Sequence, residues 1–223
     1  MRTTIVNIGT IVSGNWRKPL TDGDSVSMMD SRIDSVGAVN DRLVREADVV
    51  IDAGGATVCP GLIDSQVHIT FGDYTPRQKT VDYLESYLHG GTTTSISASE
   101  VHVPGRPSDP EGVKALAVAA HKSFLTYRPA GMTVHAGSII IEPGLKDNDF
   151  REVAAKGVWL AKAGFGRFDD PYDYAPYVKA AREAGLITTV HTGGASIPDS
   201  SAISGDHVLK MNPHVSFHVN GGP

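Results

Sequence analysis

The chain has 223 residues, enough to bury a sizeable core, and combines 40% hydrophobic with 20% charged residues at a formal net charge of −5. That acidic balance, without a Lys/Arg cluster, excludes nucleic acid as an expected partner. No apolar run approaches the ~20 residues of a membrane span, so no membrane partner is expected either.

The opening, Met1 to Gly9, is short in apolar residues and interrupted by polar ones. It reads as a strand rather than a secretory leader, and the expected location is cytoplasmic. Short alternating or β-branched runs follow over Thr3 to Val12, Ser25 to Met29, Arg32 to Val36 and Val49 to Asp52, separated by turn signals at Thr21-Asp22-Gly23-Asp24 and Ala53-Gly54-Gly55. They predict a small β-sandwich over residues 1–56, with a short helical turn near Val39 to Ala47. The single cysteine, Cys59, has no internal disulfide partner and reads as a small buried hydrophobe.

From Thr57 the period changes, and strand-like runs alternate with helical patterns, the signature of repeated βα units around a parallel sheet. Strand one is predicted over Thr57 to Ile69. The loop Thr70 to Tyr74 leads to a helix from Pro76 to His89, with proline at its first turn and Gly90-Gly91 as its stop. Strand two covers Thr92 to Ala98 and is followed by the long loop Ser99 to Pro107 and a helix from about Pro110 to Tyr127. Strand three runs Met132 to Ile141, followed by a helix at Asp147 to Lys156. Strand four spans Gly157 to Ala163, with a helix at Asp173 to Ala184 behind it. Strand five is Leu186 to His191, and a short helix at Gly205 to Met211 leads to strand six, Val215 to Val219. The fold class is therefore α/β: a partial (β/α)8 TIM-type barrel of about six strands over residues 57–223, preceded by the β-sandwich. Eight strands of this type take about 250 residues, so the barrel is expected to be incomplete, and its open edge predicts a homo-oligomer.

In such a barrel the reactive groups gather at the carboxyl ends of the strands. Those ends carry Gln66 and His68, Lys162, His191 and His218. Asp64, Gln66 and His68 alternate along strand one and share a face. His214 and His135 are expected to be structural, His135 within the core. His89, His102, His121 and His207, on helices or loops, are expected to face solvent.

The segment Val58-Cys59-Pro60-Gly61-Leu62-Ile63-Asp64-Ser65-Gln66-Val67-His68 resembles the opening strand of the amidohydrolase superfamily, P-G-(L/F/W)-I-D-x-H-x-H, with Gln66 in place of the first histidine. Gly72 to Thr80, His89 to Thr94, Pro104 to Pro107, His191 to Gly194 and His218 to Pro223 are similar to the enamidase branch of that superfamily. At strand four Lys162 follows the carbamate-bridged cyclic amidases. The resemblance implies a metal-dependent hydrolase that cleaves a C–N bond of a cyclic amide, imide or enamide with activated water, so the partner is a small-molecule cyclic amide. It implies His68, Lys162, His191 and His218 as ligands of one or two divalent ions, most simply zinc, with iron or manganese as alternatives. Gln66 is a weak ligand in this set, since its neutral carbonyl oxygen suits harder ions better. A carbamate on Lys162 would bridge the ions, and Asp64 has a structural hydrogen-bonding role. The family's strand-eight aspartate, its catalytic base, is expected beyond the last residue, so no catalytic residue is assigned. A second reading is a catalytically inactive or truncated relative acting as a binding or interaction protein. Gln66 points to the second reading, and Lys162, His191 and His218 point to the first.

Overall fold

A computed structural model describes residues 1–68, 80–99, 106–195 and 197–220, without the side chains of 80–82. The expected loop after strand one, the start of the following helix, His102 and the terminal Gly221-Gly222-Pro223 lie outside the described residues. The chain divides into two compact units, Met1–Gly61 and Leu62–Pro223.

The first unit contains β1 (Arg2–Val6), β2 (Thr10–Val12), β3 (Leu20–Thr21), β4 (Ser25–Met29), β5 (Arg32–Gly37), α1 (Asp41–Arg45), β6 (Val49–Asp52) and β7 (Thr57–Val58). They form a four-stranded sheet ordered β5-β4-β1-β6 and a three-stranded sheet ordered β3-β2-β7. Ile8, Ile11 and Val26 make the buried cluster, with Ile5, Met28, Ala53 and Val58 against it, so both sheets contribute to one small core. The run expected from Thr3 to Val12 is two strands, because Asn7 turns the backbone to a φ of 55°. The short helix α1 starts where the Asn40 side chain accepts from the Arg42 and Leu43 amides, and it buries Leu43.

The boundary expected at residues 56/57 falls later in the chain. Thr57 and Val58 pair in parallel with Thr10 and Ile11 and so belong to the first unit. Pro60, which cannot donate to a ladder, separates them from the next strand. Cys59, expected to be buried, is exposed in this connector, because the ladder ends one residue earlier.

The second unit alternates strands and helices: β8 (Leu62–Val67), α2 (Thr80–His89), β9 (Thr92–Ser97), α3 (Pro110–Thr126), β10 (Thr133–His135), β11 (Ser138–Ile140), α4 (Asp147–Ala155), β12 (Leu160–Ala163), α5 (Tyr174–Glu183), β13 (Ile187–His191), α6 (Gly205–Met211) and β14 (Val215–Phe217). Every pairing between them is parallel, in the orders β10-β9-β8 and β11-β12-β13-β14. Helix α3 begins at Asp109, whose side chain accepts from the Gly112 amide at 2.9 Å, with Pro110 in the first turn. Its Val113, Ala117, Ala120 and Phe124 recur at helical spacing and are buried against the strands. Helix α6 opens on a reciprocal cap between Ser204 and His207.

The expected third strand, Met132 to Ile141, is two pieces that serve different sheets. β10 pairs with β9, and β11 pairs with β12. Gly137 makes the break, at a φ of 99°. A Cβ there would stand 2.6 Å from His121 Cβ and 2.7 Å from the Ala117 carbonyl oxygen. Helix α3 thus presses directly on the turn, which only glycine fits. Gly137→Ala is expected to cost about 2–4 kcal/mol, from positive-φ strain plus overpacking, read as a lower urea midpoint at unchanged slope. An unaltered midpoint would show that the turn relaxes freely. His135, expected in the core, is exposed at the end of β10, with its ring edge-on to Trp159 at 5.6 Å.

Alternation along the strands of the second sheet decides which residues meet. Ile139, Ile141, Ala161, Ala163 and Val190 lie in the cluster packed by the helices, with Phe150, Val153, Tyr174 and Val178. Burying side chains of this size contributes about 1.5–3 kcal/mol each. The intervening residues face the other way. Ile140 stands beside Lys162, Lys162 beside Thr189, and His191 beside Phe217.

Candidate active site

That inner face carries an amine where an apolar residue would be expected. Lys162 is 0% exposed, and its Nζ has no hydrogen-bond partner among the described residues. Its neighbours are the ring faces of Phe217, 4.4 Å away, and Phe165, 4.9 Å away. Rings attract a cation weakly compared with the water it has lost. Burial accordingly pulls the amine's pKa from 10.5 down to about 7.

Three imidazoles stand around the same rings. His68 follows β8, and its Nδ1 lies 3.1 Å from the Ser99 hydroxyl. Its ring meets Phe165 edge-on at 6.0 Å. Burial first, then the charge of Lys162, pushes its pKa down to about 3. His191 ends β13, and its ring lies 5.1 Å from Phe165 and 4.5 Å from the ring of His218. Its Nε2 donates to the Gly194 carbonyl at 3.0 Å. A carbonyl only accepts, so Nε2 carries the proton and Nδ1 is the free lone pair in the neutral ring. Burial is also the first cause that lowers the His191 pKa. His218 follows β14, exposed, in the left-handed region at a φ of 36°, an arrangement that stores on the order of 1 kcal/mol in a non-glycine residue.

The ends of β12, β13 and β14 are locked together locally. Gly164, at a φ of 96°, passes so close to His191 that a Cβ would lie 3.0 Å from the histidine's own Cβ and carbonyl oxygen. The Thr192 hydroxyl donates to the Phe217 carbonyl. On β8, Gln66 is half-buried, and its backbone N–H donates to the Asp64 carboxylate at 2.9 Å. The β8/β9 ladder shifts register between Asp64 and Val67. His214 accepts from the Thr188 amide at 3.0 Å, and His207 caps α6, both away from these rings.

Sequence reasoning missed the aromatic part of this cluster. Phe165 touches His68, Lys162 and His191 at once, and Phe217 backs the amine. It also missed Arg106 and Glu142, a buried ion pair directly behind Phe165. A signal existed for Glu142, a charge that closes the apolar run Ser138-Ile139-Ile140-Ile141 at the carboxyl end of a strand.

The donors suit a divalent ion in their chemistry: imidazole nitrogens and an amine whose pKa burial lowers. Among the described residues, however, no three His, Cys, Asp or Glu side chains are grouped so as to hold one ion by themselves. Lys162 is the fourth nitrogen of the set, and its unpartnered Nζ is what fits a further group at this place. No helix among the described residues is long and apolar enough to cross a membrane.

No family model matches the chain. It is 47% identical over 225 residues to the enamidase of Eubacterium barkeri, covering 100% of this chain and 58% of that protein. It is 27% identical over 208 residues to an allantoinase of Bacillus licheniformis, covering 88% of this chain and 43% of the relative. The chain thus spans little more than half the length of the enamidase and less of the allantoinase. A solved enamidase structure, described as a new member of the amidohydrolase superfamily, superposes with a TM-score of 0.88 at 46% identity, over 100% of this chain and 58% of that one. With that likeness running through both sequence and fold, the chain belongs to the amidohydrolase superfamily.

Proposed function

We propose that the chain carries the site of a metal-dependent hydrolase of the amidohydrolase type, which cleaves the C–N bond of a small cyclic amide, imide or enamide with an activated water. The observation that carries this reading is Lys162: a fully buried amine without a hydrogen-bond partner, set among imidazoles at the carboxyl ends of successive parallel strands. The likeness to an enamidase along the whole of this chain supports the bond class. Homo-oligomerisation and a cytoplasmic location belong to the same proposal.

Each residue's part follows from its surroundings. Burial keeps His68 and His191 neutral near pH 7, so neither ring has to lose a proton before it can ligate. His218 adds the third imidazole. Lys162, deprotonated in a large fraction of molecules at neutral pH, adds its amine to carbon dioxide and releases a proton, leaving a carbamate anion. Phe165 and Phe217 keep water from the amine. Gln66 supplies only a neutral oxygen. A bound zinc, or iron or manganese, supplies a Lewis acid for the amide carbonyl and makes a water more acidic.

Elemental analysis after dialysis against zinc tests the reading. The purified chain is expected to retain about one equivalent of zinc, a structural-site affinity that His191→Ala removes. Gln66→His is expected to raise the retained amount towards two. Absence of any retained zinc, iron or manganese would overturn the enzyme reading and leave the binding-protein alternative, which Gln66 favours.

A further inference from the structure

Behind Phe165 the chain is held by three buried side chains from three different places in the sequence. Arg106, 8% exposed, donates through Nη2 to the Phe165 carbonyl at 2.5 Å and through Nη1 to Glu142. Glu142, 0% exposed, accepts with its other oxygen from the Arg167 amide at 2.8 Å. The Tyr174 hydroxyl donates to the Gly166 carbonyl at 3.0 Å. Three successive residues after β12 are therefore pinned through their backbones, and a side chain on Gly166 is impossible because its Cβ would sit 2.1 Å from the Ile141 carbonyl oxygen.

A buried ion pair is a poor means of gaining stability, since well-packed apolar residues do as well or better. Its use here is geometric. The planar guanidinium holds a carboxylate and a carbonyl at fixed directions. It links the loop after β9 to the end of β11 and the end of β12. What it fixes is the turn that carries the Phe165 ring.

We propose that Arg106 and Glu142 are positioning residues that act through Phe165, setting the ring against which His68, Lys162 and His191 are arranged. The proposal rests on the reading of these residues as the site, and its test uses neither metal nor substrate. The whole chain, labelled with 13C-histidine and kept free of metal at a fixed pH, is compared with Arg106→Lys by carbon–proton correlation spectroscopy. Lysine keeps the charge but loses the fork. The signals of His68 and His191, which feel the Phe165 ring current, are expected to move by tenths of a part per million in the proton dimension, while His207 and His214 stay in place. Phe165→Leu leaves both ends of the clamp intact and is expected to displace the same two signals. If Arg106→Lys fails to fold, Glu142→Gln, with the shape of the pair retained, is read in the same way. Unmoved His68 and His191 signals in a folded clamp variant would overturn the proposal, as would general displacement of all the histidines. Zinc added to the unsubstituted chain is judged separately: failure to perturb His68, His191 and His218 counts against the functional reading and leaves the clamp standing.

Discussion

Lys162→Met is expected to stabilise the chain at neutral pH while abolishing its retention of divalent ions. The unfolded chain holds the amine's proton up to about pH 10.4, whereas burial makes the folded chain release it near 7. Between those values the unfolded state binds more protons than the folded one. Stability of the unsubstituted chain must therefore rise with pH across that window, by up to about 1.4 kcal/mol per pH unit, and the penalty is greatest below pH 7. Methionine keeps the stem and removes the charge. The expected gain is on the order of 4 kcal/mol at pH 6, shrinking to nothing by about pH 10. Urea unfolding of both proteins at intervals from pH 6 to pH 10 measures it. Parallel curves, with no pH-dependent gap, would mean that the amine is solvated or modified in the folded state and that burial does not govern its charge.

Glu142→Leu is expected to be the most destabilising single change near the site, at about 3–5 kcal/mol, because it strands the Arg106 guanidinium in a dry interior. It also leaves the Arg167 amide without its acceptor. The double variant Arg106→Met with Glu142→Leu removes both charges together and is expected to recover most of that loss. Denaturant midpoints of the two single variants and the double variant form the cycle. A double variant no more stable than Glu142→Leu alone would show that the cost lies in the backbone hydrogen bonds and not in the unpaired charge. Both outcomes are read on the metal-free chain, since the two residues stand behind Phe165 and act on the site only through that ring.

The alternation of strand and helix was legible because it is written locally. An apolar run of four to six residues and a stop such as Gly90-Gly91 act within one or two turns of chain. The same locality made Lys162, His191 and His218 visible, as polar residues closing apolar runs. Long-range crowding was not legible. Nothing near Gly137 announces that His121 lies against it, so the split of the third strand could not be read. Thr57 and Val58 look like the start of a barrel strand until their pairing with Thr10 and Ile11 is known. Cys59 and His135, apolar or strand-bound by local pattern, are exposed because the strands carrying them end where they do.

The sequence by itself determined the parallel α/β plan and the residue types available at the strand ends, since side-chain period and turn chemistry depend only on neighbours along the chain. Tertiary structure alone decided that Phe165 stands among His68, Lys162 and His191, and that Arg106 finds Glu142 thirty-six positions away. Which side chains share a dry space is set by how separate strands are staggered and pressed together, and that is a property of the packed molecule rather than of any segment.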